Sequence, residues 1–235
     1  MSDSPYDAIA GLYDDWSRSV KEDVPFYVAE AAATGGPVVE LAVGTGRIAI
    51  PIARRGIRVI GVDASREMLA VCRARARAQG VADLLDLRAG DLRSPPVAER
   101  VRLVTCPFRA YLHLRDEEDR RRALAAAYEL LAPGGRFVFD VFAPDADDIE
   151  ATDRRWLERE PGIFERADWD AGSRTFVLTV CGAGTQTQLQ LAWAPPDQWE
   201  RLLAETGFEV VGHYGWFDRR PYAGGEDSVW VARRP

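Results

Sequence analysis

Short apolar runs alternate with stretches of helical periodicity through the first 142 residues of the chain. The first of these runs, at residues 38–43, is near-continuous and typical of a strand buried on both faces of a parallel sheet. Further strands are expected at residues 57–62, 84–88, 101–106 and 137–142. Helical patterns lie between most of these runs, at about 47–55, 65–79 and 116–131. Strands that alternate with helices at this spacing predict a doubly wound α/β sheet.

The pattern changes after residue 143, where an acidic connector occupies residues 144–155. Three runs with period-two patterning follow, at residues 163–170, 174–181 and 185–193. Turn-like segments separate them, so we expect an antiparallel three-stranded meander inserted into the α/β frame.

The C-terminal part of the chain predicts one more helix and a closing hairpin. The helix is expected to begin at Asp197, with Glu200 three residues later as in a capping box, and to end at Gly207. Strands at 208–214 and 228–232 follow. Because these two strands form a hairpin, one of them must run antiparallel to the others. We therefore expect a seven-stranded sheet with an antiparallel last strand.

These patterns divide the chain into four segments. Residues 1–36 carry two helical pieces and are expected to cover the site as a lid. Residues 37–142 would form the ligand-binding core of the sheet. Residues 143–195 hold the meander, which we expect to border a substrate or a second copy of the chain. Residues 196–235 complete the core with the last helix and the hairpin.

The composition of the 235-residue chain is that of an ordinary globular protein, with 47% hydrophobic and 29% charged residues. A formal net charge of −7 gives no broad positive surface for nucleic acid or for an anionic membrane. The three cysteines are scattered, which argues against disulfides and a metal site and favours a reducing compartment. Neither a signal peptide nor an apolar stretch long enough to span a bilayer is apparent. We expect a cytoplasmic protein.

A glycine-rich turn follows the first predicted strand, with the sequence Gly44-Thr45-Gly46-Arg47-Ile48-Ala49. Such a turn between a strand and a helix lets the backbone approach a nucleotide closely. Asp63 ends the second strand, 19 residues after Gly44, where an acid can accept both hydroxyls of an adenosine ribose. Together, the turn and this acid predict an adenosine site.

The charge of Glu40, inside the first strand, indicates which adenosine cofactor the site holds. A dinucleotide would bring a pyrophosphate to the turn, and a neighbouring carboxylate would repel it. S-adenosylmethionine brings an ammonium and a sulfonium instead, which a carboxylate favours. Glu40 is also compatible with a purely loop-orienting role, and both interpretations favour S-adenosylmethionine over NAD.

Five motifs in this order resemble those of class I S-adenosylmethionine-dependent methyltransferases, over nearly the whole chain. The glycine motif corresponds to Val39–Arg47, and the second-strand motif to Gly61–Ser65 with Met68. The other three motifs lie at 90–92, 130–137 and 202–208. The resemblance implies a Rossmann-like fold. This chain departs from the family at Ala42, where glycine is common, and we expect a slightly tighter loop there rather than lost binding.

The resemblance implies a set of cofactor contacts along the carboxyl edge of the sheet. It places Glu40, Ala42, Gly44 and Gly46 around the methionine moiety, Asp63 on the ribose, Ala64, Met68, Asp91 and Leu92 around the adenine, and Cys106 to Phe108 beside the sulfonium. An N-terminal tyrosine closes over the methionine carboxylate in similar enzymes. Tyr13 is the candidate here and Tyr6 the alternative. Met68 and Tyr13 are also compatible with simple packing of their helices.

Methyl transfer from a sulfonium is an in-line displacement, so the protein mainly aligns the reactants and excludes water. A base is needed only when the acceptor arrives protonated. In similar sugar-amine and natural-product methyltransferases, the loop after the fourth strand borders the acceptor. This implies His113 or Tyr111 as base or acceptor anchor, unless His113 packs the next helix. Arg109 and Arg219 are candidates for a substrate carboxylate, whereas His213 is interpreted as structural.

Six of the seven tryptophans follow residue 150, which is compatible with an aromatic lid, a dimer interface or ordinary packing. The segment Thr105-Cys106-Pro107-Phe108 lacks the Asn/Asp-Pro-Pro-aromatic signature of enzymes that methylate base amines. We therefore expect a small-molecule acceptor methylated on O or N, no metal and no nucleic acid, with a homodimer left open. Two alternatives remain: an NAD(P)-dependent oxidoreductase, and a non-catalytic S-adenosylmethionine-binding subunit whose acceptor cleft is filled.

Overall fold

The computed structural model describes residues 4–235, so the first three residues of the predicted 1–36 segment lie outside the described residues. The strands are β1 (Val38–Leu41), β2 (Val59–Asp63), β3 (Leu85–Ala89), β4 (Val101–Cys106), β5 (Leu131–Phe142), β6 (Leu157–Glu160), β7 (Ile163–Asp170), β8 (Thr175–Gly182), β9 (Thr185–Ala192), β10 (Glu209–Tyr214) and β11 (Asp227–Arg233). The α-helices are α1 (Tyr13–Trp16), α2 (Asp23–Thr34), α3 (Ala49–Ala53), α4 (Arg66–Ala78), α5 (Glu117–Leu130), α6 (Ala146–Thr152) and α7 (Pro196–Thr206). Short 3-10 helices lie at Asp7–Ile9, Ala82–Leu84 and Ala110–His113.

Seven strands form one sheet in the order β10-β11-β5-β4-β1-β2-β3. Strands β1 to β5 pair in parallel, whereas β11 pairs antiparallel with both β5 and β10. The predicted doubly wound sheet with an antiparallel last strand is therefore confirmed. In a sheet of this kind the loops at the carboxyl ends of the parallel strands form the ligand site.

A second, antiparallel sheet contains four strands in the order β6-β7-β8-β9. The meander is confirmed, but the predicted three strands are β7 to β9, and β6 was missed. Strand β6 has only four residues and pairs along one side of β7 through an irregular register. Its sequence Leu-Glu-Arg-Glu is largely exposed and carries no alternation of apolar and polar residues, so it gave no strand signal.

Two helix predictions need correction. The acidic connector contains α6, which begins with a capping box formed by Asp145 and Asp148. The expected capping box at Asp197 is absent, because α7 begins one residue earlier, at Pro196. Pro195 occupies the N-cap position and has no side-chain donor or acceptor, while proline at the first helical position needs no N–H partner. Gly207 ends α7 in a left-handed conformation, as predicted.

Ser65 and Asp116, where two of the predicted helical patterns begin, are the side-chain caps of α4 and α5. The Ser65 hydroxyl accepts a hydrogen bond from the Met68 N–H at 3.0 Å, and the Asp116 carboxylate accepts one from the Asp119 N–H at 2.8 Å. Each bond satisfies one of the free N–H groups of the first turn. The cap at Ser65 fixes the start of α4 directly beside the end of β2, where the site lies.

A separate apolar cluster joins the N-terminal segment to the second sheet. It includes Ile9 and Trp16 from the N-terminal segment and Phe176, Leu189 and Trp193 from the meander. The Trp16 indole N–H also donates to the Glu165 carboxylate at 2.9 Å. These contacts hold the N-terminal segment between the meander and the carboxyl edge of the main sheet. None of the helices within residues 4–235 is long and apolar enough to cross a membrane.

Candidate functional site

Two cavities lie side by side at the carboxyl edge of the seven-stranded sheet. The first has a volume of about 360 Å³ and is bounded by the turn after β1 and the ends of β2 and β3. The second has a volume of about 470 Å³ and lies between the N-terminal segment, the loop after β4 and one face of the meander. Tyr6, Phe108 and His113 line both cavities. These three side chains therefore form the wall between them.

The Asp63 carboxylate closes one side of the first cavity. Its two oxygens accept hydrogen bonds at 2.8 Å from the N–H groups of Gly44 and Ser65. Burial raises the pKa of Asp63, and these two N–H groups partly offset that rise. An ionised carboxylate offers about four lone-pair sites, so the backbone bonds leave acceptor capacity for a ligand. Asp63 thus both shapes the glycine turn and presents an acceptor to the cavity.

The glycine turn contains residues with two different tasks. Gly46 has φ +81°, and a Cβ atom there would lie 2.6 Å from the Cys72 sulfur, so only glycine allows the turn to pack on α4. Gly46 does not line the first cavity, so its expected contact with the methionine moiety is replaced by this packing role. Gly44 and Ala42 do line the cavity. Ala42 has φ +56°, which explains why glycine suits its position.

Glu40 is almost fully buried in β1 and faces the first cavity. One of its carboxylate oxygens, Oε2, has no hydrogen-bond partner within the described structure. Burial raises the pKa of Glu40 to about 8, against the opposing influence of the Arg47 charge and the Ala49 N–H. A buried carboxylate without a partner favours a cationic ligand, because the cation supplies the missing interaction.

Arg47 brings a positive charge to the same cavity. Its guanidinium forms two hydrogen bonds with the fully buried Asp23 carboxylate, at 2.8 and 2.5 Å. It also lies over the Phe108 ring, 4.6 Å from the ring centre. The cavity therefore presents both a carboxylate, from Glu40, and a guanidinium. That combination suits the ammonium and carboxylate of an amino acid moiety.

The other end of the first cavity is lined by Ala64, Met68, Asp91 and Leu92, as expected. Both oxygens of Asp91 accept from the Arg93 guanidinium, and Arg93 also donates to Asp119 at 2.7 Å. These bonds with Arg93 lower the pKa of Asp91, so this carboxylate is ionised at neutral pH. Tyr13 lines the cavity from the N-terminal side.

His113 sits at the junction of the two cavities, at the end of the 3-10 helix after β4. Its Nε2 atom lies 2.9 Å from the Tyr6 hydroxyl. Burial lowers the pKa of His113 to about 4, so the imidazole is neutral at neutral pH. Burial also raises the pKa of the Tyr6 phenol well above its usual range. The pair is therefore uncharged and can accept or relay a hydrogen bond at this point.

Several residues expected in the site lie elsewhere. Tyr111 is fully buried and stacks on Trp199, with ring centres 5.8 Å apart, so it belongs to the core and not to the acceptor wall. Cys106 is also fully buried in that core and lines neither cavity. Arg219 forms an ion pair with Glu30. His213 stacks on Trp230 with ring centres 3.6 Å apart, in keeping with its structural interpretation.

The second cavity is lined mainly by aromatic and acidic side chains. Its aromatic lining consists of Tyr6, Trp16, Phe108, Phe142, Trp169, Phe176, Trp216 and Phe217. Its acids are Asp23, Asp140, Asp148, Glu165, Glu226 and Asp227. Among the described lining residues, only Arg109 and Arg159 are cationic; Arg109 is paired with Asp227 at 2.5 Å, and Asp23 is paired with Arg47 of the neighbouring cavity. An apolar cavity with this acidic excess favours a small molecule with a positive charge.

The late tryptophans divide between the site and the core. Trp169 and Trp216 line the second cavity, so the aromatic-lid interpretation holds for these two. Trp193, Trp199 and Trp230 are buried in the core. Trp156 is exposed at the surface of the meander.

Two buried acids in the site were not singled out from the sequence. Asp23 holds Arg47, and Asp140 in β5 accepts hydrogen bonds from the loop after β4. Burial raises the pKa of Asp140 to about 6. Asp140 is an acid inside an apolar strand, which is the same signal that identified Glu40. Within residues 4–235, no group of three or more His, Cys, Asp or Glu side chains is arranged to hold a metal ion.

Sequence comparison finds methyltransferases over much of the chain. The family described as "Methyltransferase domain" matches residues 38–135. A glycine/sarcosine N-methyltransferase of Halorhodospira halochloris is 30% identical over 209 residues, covering 86% of this chain and 77% of that enzyme. A ubiquinone/menaquinone biosynthesis C-methyltransferase of Desulfotalea psychrophila is 37% identical over 152 residues, covering 61% of this chain and 59% of that enzyme. The chain spans about half the length of two further relatives.

Solved structures match along almost the whole chain. The CcbJ methyltransferase of Streptomyces caelestis has a TM-score of 0.87 at 28% identity, covering 99% of this chain and 98% of that one. The glycopeptide N-methyltransferase MtfA, in complex with S-adenosyl-L-methionine, has a TM-score of 0.61 at 26% identity, covering 91% and 95%. Both similarities include the meander as well as the main sheet.

The raised pKa of Glu40 predicts how the stability of the cofactor-free protein depends on pH. Because the folded state holds this proton up to about pH 8 and the unfolded state only up to about 4.5, stability is lost as pH rises between these values. We therefore compare the free energy of unfolding of Glu40→Gln with that of the wild type at pH 5 and at pH 8. We expect the difference to shift in favour of the variant by up to about 4 kcal/mol at the higher pH. Urea unfolding at both pH values measures this. Glu67→Gln, at an exposed position of α4, is the control. The prediction would be contradicted if Glu40→Gln and the wild type differed in stability by the same amount at both pH values.

Proposed function

The chain belongs to the family of S-adenosylmethionine-dependent methyltransferases, and from this premise we propose that it methylates an amine nitrogen of a small molecule. The enzyme class and the cofactor follow from the family and from relatives that bind the cofactor. The acceptor class and the residue roles are proposals. The observation that carries them is the pair of adjoining cavities, which differ in charge and share a wall of Tyr6, Phe108 and His113.

The first cavity suits S-adenosylmethionine, whose sulfonium supplies an electrophilic methyl group. We propose that Glu40 binds the ammonium of the methionine moiety and that Arg47, with Tyr13, binds its carboxylate. Asp63 would accept the ribose hydroxyls, and Ala64, Met68, Asp91 and Leu92 would surround the adenine. The unpartnered oxygen of Glu40 supports this fit, because an ammonium beside it would lower the carboxyl pKa and satisfy the oxygen.

The two cavities oppose the two alternatives. A dinucleotide would bring its pyrophosphate next to the glycine turn, where the Asp63 carboxylate would repel it and where the unpartnered oxygen of Glu40 would gain no cationic partner. A non-catalytic subunit with a filled acceptor cleft would leave no space beside Phe108 and His113. The cavity at that position has a volume of about 470 Å³, which is enough for a drug-sized molecule.

The acidic excess of the second cavity favours an amine acceptor over a phenol or an acid. Two of the matched enzymes are described as N-methyltransferases, one acting on glycine and sarcosine and one on a glycopeptide. An amine attacks only as its neutral form, so its proton must leave before transfer. With a pKa held near 4, His113 is a weak base. We therefore propose that His113 and Tyr6 anchor the acceptor nitrogen, and that solvent takes its proton.

Residue roles in the second cavity follow from this assignment. Phe108 would line the point where the two ligands meet and exclude water from it, and Arg109 would orient the acidic wall through Asp227 rather than bind a substrate carboxylate. The homodimer and the cytoplasmic compartment stay predictions. The three free cysteines, two of them buried, are in keeping with a reducing compartment.

A panel of acceptors tests the proposed function directly. We expect the protein with labelled S-adenosylmethionine to methylate small amines, including amino sugars, faster than phenols or carboxylic acids of similar size. Rates should rise with pH toward the pKa of the amine, because only its neutral form reacts. A phenol that reacts at least as fast as the best amine would contradict the amine assignment while leaving the enzyme class intact.

Asp63 provides a test of the cofactor site. Asp63→Ala removes the ribose acceptor and the support of the Gly44 N–H, so we expect affinity for S-adenosylhomocysteine to fall by at least about 100-fold, or 2.7 kcal/mol. Asp63→Asn keeps one acceptor oxygen and should lose less. Calorimetric titration measures both, with Asp86→Ala on the neighbouring strand as the control. Unchanged affinity in Asp63→Ala would remove the ribose assignment.

His113 provides a test of the acceptor anchor. We expect His113→Ala to lower kcat by about 10- to 100-fold, the scale of one lost anchoring contact, while affinity for S-adenosylhomocysteine changes by less than about threefold. The factor by which His113→Ala lowers kcat should be the same across pH 5 to 9, because burial holds the pKa of His113 near 4 and the imidazole is neutral over this range. Steady-state kinetics over pH 5 to 9 measures both. Wild-type turnover in the variant would refute the role.

A further inference from the structure

The loop after β4 begins with an unusual backbone conformation. Phe108 and Arg109 have φ values of +60° and +57°, so two consecutive residues other than glycine lie in the left-handed region. Residues with a Cβ atom rarely adopt this conformation, and two in succession need support from their surroundings. Such strain is maintained only where the neighbouring structure enforces it, and it is common at functional sites.

The support comes from the Asp140 carboxylate in β5. Its Oδ1 atom accepts from the Phe108 N–H at 2.9 Å, and its Oδ2 atom accepts from the Arg109 N–H at 2.9 Å. The Tyr27 hydroxyl of α2 also donates to Oδ1, at 2.6 Å. Asp140 is 5% exposed and Tyr27 is fully buried. The carboxylate therefore binds both N–H groups of the strained turn and is itself held by a buried phenol.

This turn places the residues that separate the two cavities. Phe108 lies in the shared wall, under the Arg47 guanidinium. Arg109 is the N-cap residue of the 3-10 helix Ala110–His113, so the conformation of the turn sets the position of His113 as well. A displacement of this wall by about 1 Å is enough to disturb an in-line transfer by about 100-fold.

We propose that Asp140 is a positioning residue for methyl transfer, which holds the left-handed Phe108–Arg109 turn and thereby fixes Phe108 and His113 beside the point where the cofactor and the acceptor meet. The proposal rests on the proposed function. Asp140 also lines the acceptor cavity, but both of its oxygens are engaged by the turn and by Tyr27. It acts through the backbone it binds and not through contact with the acceptor.

The ionisation of Asp140 provides a second test of this role. The titratable groups around it are Tyr27 and Asp23 of α2, Arg47 beside the first cavity, Arg109 in the loop that it binds, and Cys106 at the end of β4. Burial raises its pKa to about 6, and the Tyr27 and Arg109 contacts limit that rise. Protonation removes an acceptor from the turn, so we expect the turn to loosen as pH falls through 6.

The test compares Asp140→Asn with the wild-type protein by three measurements. An asparagine of the same shape offers one oxygen, so one of the two turn N–H groups loses its acceptor. We expect amide exchange at Phe108 and Arg109 to rise at least tenfold and kcat toward the best amine of the panel to fall about 100-fold. The acceptor KM and the affinity for S-adenosylhomocysteine should change less than threefold. Tyr27→Phe, which leaves both turn bonds in place, should produce a smaller effect in the same direction.

A backbone rescue separates positioning from general damage. Glycine adopts a positive φ without strain, so a turn with Arg109→Gly depends less on Asp140. We expect Asp140→Asn to reduce kcat by a smaller factor in the Arg109→Gly background than in the wild-type background. If Asp140 acted instead through direct contact with the acceptor, the factor would be the same in both backgrounds, because the conformation of the turn would not carry its effect.

Each outcome decides the question. A raised acceptor KM with unchanged kcat and unchanged exchange would show that Asp140 contacts the acceptor and would overturn the proposal. Increased exchange with wild-type kcat would overturn it as well. If the wild type methylates none of the amines, the amine assignment fails, and kcat is then measured with whichever acceptor of the panel reacts. The exchange measurement needs no acceptor, so unchanged exchange in Asp140→Asn overturns the proposal in every case.

Discussion

Three buried carboxylates at the carboxyl ends of β1, β2 and β5 determine the shape of this site. Asp63 and Asp140 each accept two backbone N–H groups from a neighbouring loop, and so hold the glycine turn and the loop after β4 in place. Glu40 keeps one oxygen without a partner. A buried charge without a partner is strongly unfavourable, so Glu40 keeps its proton up to about pH 8 unless a cationic ligand binds, whereas the fold itself supplies partners to the other two acids. The cavity between them is therefore prepared for a cation.

The parallel strands of the core could be predicted because a strand buried on both faces consists mainly of consecutive apolar residues. Strand β4 has the predicted bounds, and α4 begins directly after Ser65, where its helical pattern begins. The failures occur where polar residues form structure through local hydrogen bonds or strand pairing. Helix α6 is made by a capping box in an acidic stretch, and β6 is added along a strand with little burial of its own. Neither has the hydrophobic period on which the prediction depends.

Within the site, the sequence predicted which segments meet but not which side chains face the cavities. His113 and Tyr111 were equal candidates, because both lie in the loop after β4. In a 3-10 helix residues three apart share a face, so Ala110 and His113 line the first cavity while Tyr111 turns into the core. Asp140 could have been found by the rule that selected Glu40, since each is a single acid inside a buried apolar strand. The sequence did not distinguish Asp23 from other acids, because acidic residues are common in the first turn of a helix.

The acceptor cavity depends on contacts that no local pattern contains. Trp16 and Glu165, which are 149 residues apart, are joined by a hydrogen bond that ties the N-terminal segment to the meander. The cofactor cavity is built mainly from the core strands and the loops that follow them, with Tyr6 and Tyr13 from the N-terminal segment. The acceptor surface can therefore vary in the meander without disturbing Glu40, Asp63 or the glycine turn, whereas the N-terminal segment contributes to both cavities. Phe108 and His113 belong to both cavities, so they are the positions where a change of acceptor must stay compatible with the geometry of transfer.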